Sequence, residues 1–177
     1  MRSSPIGSAP PPPPPVDRGA ALTELARRYL TAHGPATPRD LAVWAGIGLG
    51  DARQGLRALG PHLVDEGGDL VDLTGRPPDP PLPPPRLLGP FDPLLHGWRD
   101  RLPVLGDNRT VVTTNGIFRP ILLVAGRAVA TWRLASGAVH VAPFEALSAT
   151  VLPAAQREAA AVGDFLGLGP LRLVVEG

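Results

Sequence analysis

Two proline runs divide this chain before any helix or strand is considered. Pro10 to Pro15 is unbroken, and Arg76 to Pro85 holds seven prolines in ten residues. Proline fixes φ and removes a backbone donor, so neither run can occupy a helix interior or a central strand. Packed structure must form between the runs and after them. The division predicts a disordered proline-rich tail over 1–16, a first domain over 17–74, a linker over 75–85 and a second domain over 86–177. A chain of 177 residues with 44% hydrophobic side chains can bury the core of one ordinary domain or of two small ones.

Between the runs the apolar spacing is helical. Asp17 or Thr23 can start a first helix, with Leu22, Leu25, Ala26, Tyr29 and Leu30 on one face and Arg27 and Arg28 on the other. His33-Gly34-Pro35 stops it. Thr37-Pro38-Arg39-Asp40 then supplies an N-cap, a proline at the first helical position and an acidic residue at N3, which predicts a helix over 38–45 facing inward through Leu41, Ala42, Trp44 and Ala45. Gly46 to Gly50 is a turn, and Asp51 to Leu59 makes a third helix with Ala52, Leu56 and Leu59 inward. Two short helices about a glycine-containing turn read as a helix-turn-helix. Leu63-Val64-Asp65 and Asp69 to Leu73, around Gly67-Gly68, read as a β-hairpin in the position of a wing.

After residue 86 the period changes. Thr110 to Thr114, Ile121 to Ala125, Ala128 to Leu134, Ala138 to Val141 and Leu171 to Val175 read as strands, with a turn at Gly126-Arg127 and a helix over 152–165. The predicted class is α+β: a winged helix-turn-helix followed by a small antiparallel β-sheet or partly open barrel with a C-terminal helix.

Absences exclude several chemistries. The chain has no cysteine, so disulfides, thiolate nucleophiles and thiolate metal sites are out. All 17 basic residues are arginine, which removes a P-loop lysine and Schiff-base chemistry. The four histidines show no metal-ligand spacing, and no metal or cofactor is expected. Gly46-x-Gly48-x-Gly50 follows a helix instead of a strand, so it is a turn and not a nucleotide-binding loop. No apolar stretch long enough to span a bilayer and no secretory leader are read, and the expected location is cytoplasmic.

In a helix-turn-helix the second helix presents its outer residues to the major groove. Those residues are Arg53, Gln54 and Arg57. The arginines lie one turn apart and can bond guanine edges or phosphates, and Gln54 can read adenine. Residues 17–74 nevertheless hold six Arg against eight Asp and Glu, a net of −2, whereas 86–133 hold seven Arg against three Asp, a net of +4. The second domain is therefore expected to contribute phosphate contacts through Arg99, Arg101, Arg119 and Arg127. Alternatively, Arg53 and Arg57 solvate an exposed face and the winged unit binds protein. Asp92-Pro93 has a plain reading as N-cap and first residue of a short helix, and Arg99, Asp100 and Arg101 as a local ion-pair cluster.

The helix-turn-helix and hairpin, followed by RLLGPFDPLLHGWRDR and NGIFRPILLVAGRAVATWR, resemble the C-terminal portion of winged-helix DNA glycosylases of the AlkZ and YcaQ type, over about residues 17–165. The resemblance implies tandem winged-helix motifs, a β-barrel domain, and excision of N7-alkylated purines without metal or cofactor, in bacterial DNA repair. Duplex DNA, alkylated or not, is then the implied partner. The family's catalytic motif, Gln-aliphatic-Gln or Gln-x-Asp, orients the attacking water and lies in an N-terminal part. Here Gln54 precedes Gly55-Leu56, and Gln156-Arg157-Glu158 lies on a late helix, so no catalytic residue is assigned. The expectation is a DNA-binding module, whether a fragment lacking an N-terminal segment, a truncation or a paralogue. The enzyme alternative is a relocated water-positioning group among Asp92, His96 and Asp100.

Overall fold

The fold is that of a computed structural model describing residues 17–176. The predicted tail over 1–16 lies outside the described residues.

Three helices and a hairpin form in the expected order: α1 (Arg18–His33), α2 (Pro38–Ala45), α3 (Leu49–Leu59), β1 (Leu63–Gly67) and β2 (Leu70–Leu73). Asp17 caps α1 by accepting from the Gly19 N–H at 2.8 Å. The α2 capping box is complete, with Thr37 accepting from the Asp40 N–H and Asp40 from the Thr37 N–H at 2.9 Å. Gly46, at φ 65°, ends α2 in the left-handed region. Helix α3 begins at Leu49, two residues before the expected Asp51, because extended Gly48 already turns the chain into it. Asp51 thus falls in the first turn, where a carboxylate complements the helix dipole, and it pairs with Arg18 at 2.7 Å.

Ala26, Tyr29, Leu30, Leu41, Ala52, Leu56 and Leu59 form the core of this unit. Helices α1 and α3 meet closely at Gly55, where a Cβ would stand 2.4 Å from the Leu22 carbonyl oxygen. Trp44 departs from the expected inward face. It is 41% exposed, resting at the rim with its ring 5.1 Å from that of Tyr29. The hairpin pairs antiparallel, Leu63 with Leu73 and Asp65 with Val71, and β2 is extended by a bridge from Val71 to Ala36. Asp72 is buried and pairs with Arg76, whose guanidinium also bonds the carbonyls of Leu30 and Thr31 at the end of α1.

The second half holds β3 (Arg86–Leu88), a four-residue helix α4 (Leu102–Leu105), β4 (Ile121–Val124), β5 (Arg127–Ala135), β6 (Ala138–Pro143), α5 (Val151–Phe165) and β7 (Arg172–Val175). The strands make one sheet in the order β3-β4-β5-β6-β7. All neighbours are antiparallel except β6 and β7, which run parallel because α5 carries the chain back to the starting end. The sheet is therefore mixed, where an antiparallel one was expected. The strand predicted over 110–114 is absent. A 3₁₀ turn at Arg109–Val111 and a single bridge from Val112 to Phe118 replace it, since Val111 turns inward to a small core with Leu95, Phe118 and Ile121. Strand β3, only three residues long and hard against the prolines, was not read from the sequence.

Helix α5 closes the sheet at both edges. Gln156 accepts from the Leu173 N–H at 2.8 Å and donates to the Leu171 carbonyl at 3.0 Å along β7. Two residues on, Glu158 accepts from the Leu87 N–H of β3 at 3.3 Å and pairs with Arg86. One helix thus bonds to both edge strands of the open five-stranded sheet.

The halves are clasped by Gly97-Trp98-Arg99. The Tyr29 hydroxyl donates to the Gly97 carbonyl at 2.7 Å, the Trp98 indole N–H to the His33 carbonyl at 2.9 Å, and the Arg99 N–H to Asp40 Oδ1 at 2.8 Å. A Cβ on Gly97 would stand 2.3 Å from His33 Cδ2, whose ring is wedged between those of Tyr29, Trp44 and Trp98.

Gly55→Ala and Gly97→Ala should each destabilise the fold by about 1–3 kcal/mol, the usual effect of overpacking, seen as a lower denaturation midpoint. Asp40→Ala should lose about 1–3 kcal/mol, because it removes a cap and leaves the Arg99 N–H without its acceptor. An unchanged midpoint in chemical denaturation would show that the clasp does not form.

Candidate nucleic-acid interface

The outer face of α3 is the first candidate. Ala52, Gly55, Leu56 and Leu59 are buried, which turns Arg53, Gln54 and Arg57 to solvent, and all three are exposed. Among the described residues neither guanidinium takes part in an ion pair. The contrast with α1 is informative. There Arg27 and Arg28 both bond Glu24, holding its carboxyl down at about 2, so those arginines are committed to their own helix. Arg39 on α2 is also exposed, and sequence reading did not select it.

The hairpin beside α3 has the opposite charge. Its tip carries Asp65, Glu66 and Asp69, all exposed, around Gly67 and Gly68. Such a tip repels phosphate, so attraction to a polyanion must come from elsewhere.

The four arginines expected in the second half do not gather at one place. Arg99 is exposed beyond the clasp. Arg101 is half-buried, its Nε donating to the Leu95 carbonyl at 2.7 Å and its guanidinium lying 5.1 Å over the Phe118 ring. Arg119 lines a cleft of about 320 Å³ with Thr131, Arg133, His140 and Glu176. Arg127 lines a different one of about 610 Å³, with Asp107, Phe144 and Glu145. Arg133 and His140, which line the first of these clefts, were not selected from the sequence. Strand alternation carried the signal, because β5 and β6 are joined by a tight turn that sets Arg133 directly opposite His140.

The polar residues between 92 and 100 are occupied separately. Asp92 caps the 3₁₀ turn Pro93–Leu95 by accepting from the Leu94 N–H at 2.9 Å, as its position before a proline predicts. Asp100 accepts from the Leu102 N–H at 2.9 Å and does not pair with the neighbouring arginines. His96 packs 4.4 Å from the Phe118 ring, with its Nε2 buried and unpartnered. Gln156 and Glu158 are the edge clamps on β7 and β3. Among the described residues no three His, Asp or Glu side chains group as metal ligands, and no helix is long and apolar enough to cross a membrane.

The profile of the DNA glycosylase AlkZ-like family matches residues 3–165. The fold is similar to a solved structure, the Streptomyces sahachiroi DNA glycosylase AlkZ, with a TM-score of 0.79 and 26% sequence identity. That superposition covers 89% of this chain but 46% of the other, so the chain spans a little under half of the glycosylase it resembles. No curated protein matches it in sequence. With residues 3–165 matched to the family, the chain belongs to the AlkZ-like DNA glycosylase family.

Proposed function

We propose that this chain is a duplex-DNA-binding module of the AlkZ-like family, in which α1, α2, α3 and the hairpin act as a winged helix-turn-helix and α3 enters the major groove. The observation that carries this reading is that Arg53, Gln54 and Arg57 are exposed on α3 and that, among the described residues, neither guanidinium is in an ion pair. Arginine bonds guanine O6 and N7 in bidentate fashion, and glutamine does the same for adenine. In this reading residues 17–74 are the reading domain, 75–85 the linker and 86–177 the domain that contributes phosphate contacts. The net of −2 over 17–74, concentrated at the hairpin tip, makes the module weak on its own and assigns the electrostatic part of binding to the +4 of 86–133.

The module binds without cleaving the glycosidic bond by itself. Of the groups weighed as a relocated water-positioning site, Asp92 and Asp100 bind backbone N–H groups and His96 packs its ring against Phe118 with Nε2 buried, so the three do not converge on one point. A protein-binding winged unit is the second reading, favoured by the acidic hairpin tip.

Fluorescence anisotropy with a duplex of about 20 base pairs tests the reading. Arg53→Ala with Arg57→Ala should weaken binding by about tenfold or more, from contacts of about 1–3 kcal/mol each. The logarithm of the wild-type affinity should fall linearly with the logarithm of salt concentration. Salt-independent binding that ignores both substitutions would favour the protein-binding reading. On 7-methylguanine DNA no base release is expected, and release abolished by Asp92→Asn would reverse the non-catalytic assignment.

A further inference from the structure

The cleft holding Arg119 lies on the sheet face turned away from α5. Along β5, Ala130 and Trp132 pack toward the helix with Val139 and Val141 of β6, which puts Thr131 and Arg133 on the other face. Their cross-strand partners are Ala142 and His140, so Arg133 and His140 stand side by side. Arg119 comes from the segment entering β4, held by its N–H to the Val111 carbonyl at 2.9 Å. Glu176 follows β7, its N–H donating to the Val141 carbonyl at 2.8 Å.

The charges in this cleft do not balance. Glu176 Oε1 accepts from Arg133 Nη2 at 2.5 Å and lies 3.3 Å from His140 Nδ1, so a single carboxylate oxygen serves two partners. Arg119 forms no ion pair among the described residues. Only one of the five donors of Arg133 is bound to Glu176, and His140 Nε2 is buried without a partner. Two guanidiniums and a histidine nitrogen around one carboxylate leave donors in excess. The cleft, about 320 Å³ and open to solvent on one side, has room for a phosphate group.

We infer that the Arg119–Arg133–His140 cleft binds a phosphate group, and specifically a backbone phosphodiester of duplex DNA. Guanidinium forks match phosphate oxygens in geometry and charge, and a phosphate oxygen would give His140 Nε2 the partner it lacks. Glu176 orients Arg133 and His140 while opposing the anion, which keeps the contact exchangeable. The choice of DNA as the source of the phosphate rests on the DNA-binding reading above, and places a backbone contact apart from the face of α3.

The test compares wild type with Arg119→Gln, Glu176→Gln and the Arg53→Ala plus Arg57→Ala protein, each first checked for an unchanged thermal midpoint. Inorganic phosphate is the first probe, followed by ³¹P line width and the ring signals of His140. A duplex of about 20 base pairs is the second. Arg119→Gln should abolish phosphate broadening, weaken the duplex about tenfold and reduce the salt slope by about one. The α3 double variant should weaken the duplex but leave inorganic phosphate binding intact. Glu176→Gln should strengthen both. Should Glu176→Gln lower the thermal midpoint, Arg119→Gln alone decides. Duplex affinity and salt slope unchanged by Arg119→Gln but lowered by the α3 variant would overturn this inference and leave the DNA reading standing. Duplex affinity unchanged by both variants would overturn the two together. Phosphate binding that needs Arg119, with a duplex affinity that does not, would assign the cleft to free phosphate and remove its DNA role.

Discussion

One buried carboxylate joins the parts of this molecule. Asp40 Oδ2 accepts from the Thr37 N–H and hydroxyl, which fixes the start of α2, and Oδ1 accepts from the Arg99 N–H, which fixes the arrival of the second half of the chain. A buried charge is tolerated only where several donors replace water, and here three do. Its charge is also felt nearby: burial first, and then Asp40, push the Tyr29 phenol well above its ordinary value, so the hydroxyl stays protonated and keeps donating to Gly97. Remove the carboxylate and the helix that precedes α3 loses its start, while the clasp loses one of its three hydrogen bonds.

That clasp matters because the two halves carry complementary deficits. The helical unit has exposed arginines on α3 but an acidic hairpin and a net negative charge. Residues 86–133 carry the surplus of arginine. A binding module built from both needs them held together, and the link is narrow: three hydrogen bonds, the Trp98 ring against His33, and a glycine without room for a methyl group.

The sheet solves a separate problem. Five strands in a row leave two open edges, which invite pairing with other chains. Helix α5 meets both through side chains two residues apart, Gln156 on β7 and Glu158 on β3. The opposite face is shared between a small core around Leu95, Val111 and Phe118 and the cleft that holds Arg119, Arg133 and His140.

Local chemistry made much of the fold legible. The α2 box was readable from Thr37-Pro38-Arg39-Asp40, the α1 stop from Gly34-Pro35, the α3 face from Ala52, Leu56 and Leu59, and the Asp92 cap from its proline, because each depends on residues within a few positions. What failed depended on distant partners. Trp44 was given to the core because its spacing is right, but the rim formed by Tyr29 and His33 left it half in water. Thr110 to Thr114 has strand composition, yet Val111 is drawn into a core with Leu95 and Phe118. Strand β3 exists only because Ile121 to Leu123 pair with it. By itself the sequence determined the helical unit and the outward arginines of α3, since periodicity and capping act over one or two turns. Only the tertiary structure decided that Gly97 to Arg99 lock the halves, that α5 closes the sheet, and that Arg119 meets Arg133 and His140, because those contacts join residues that no local pattern relates.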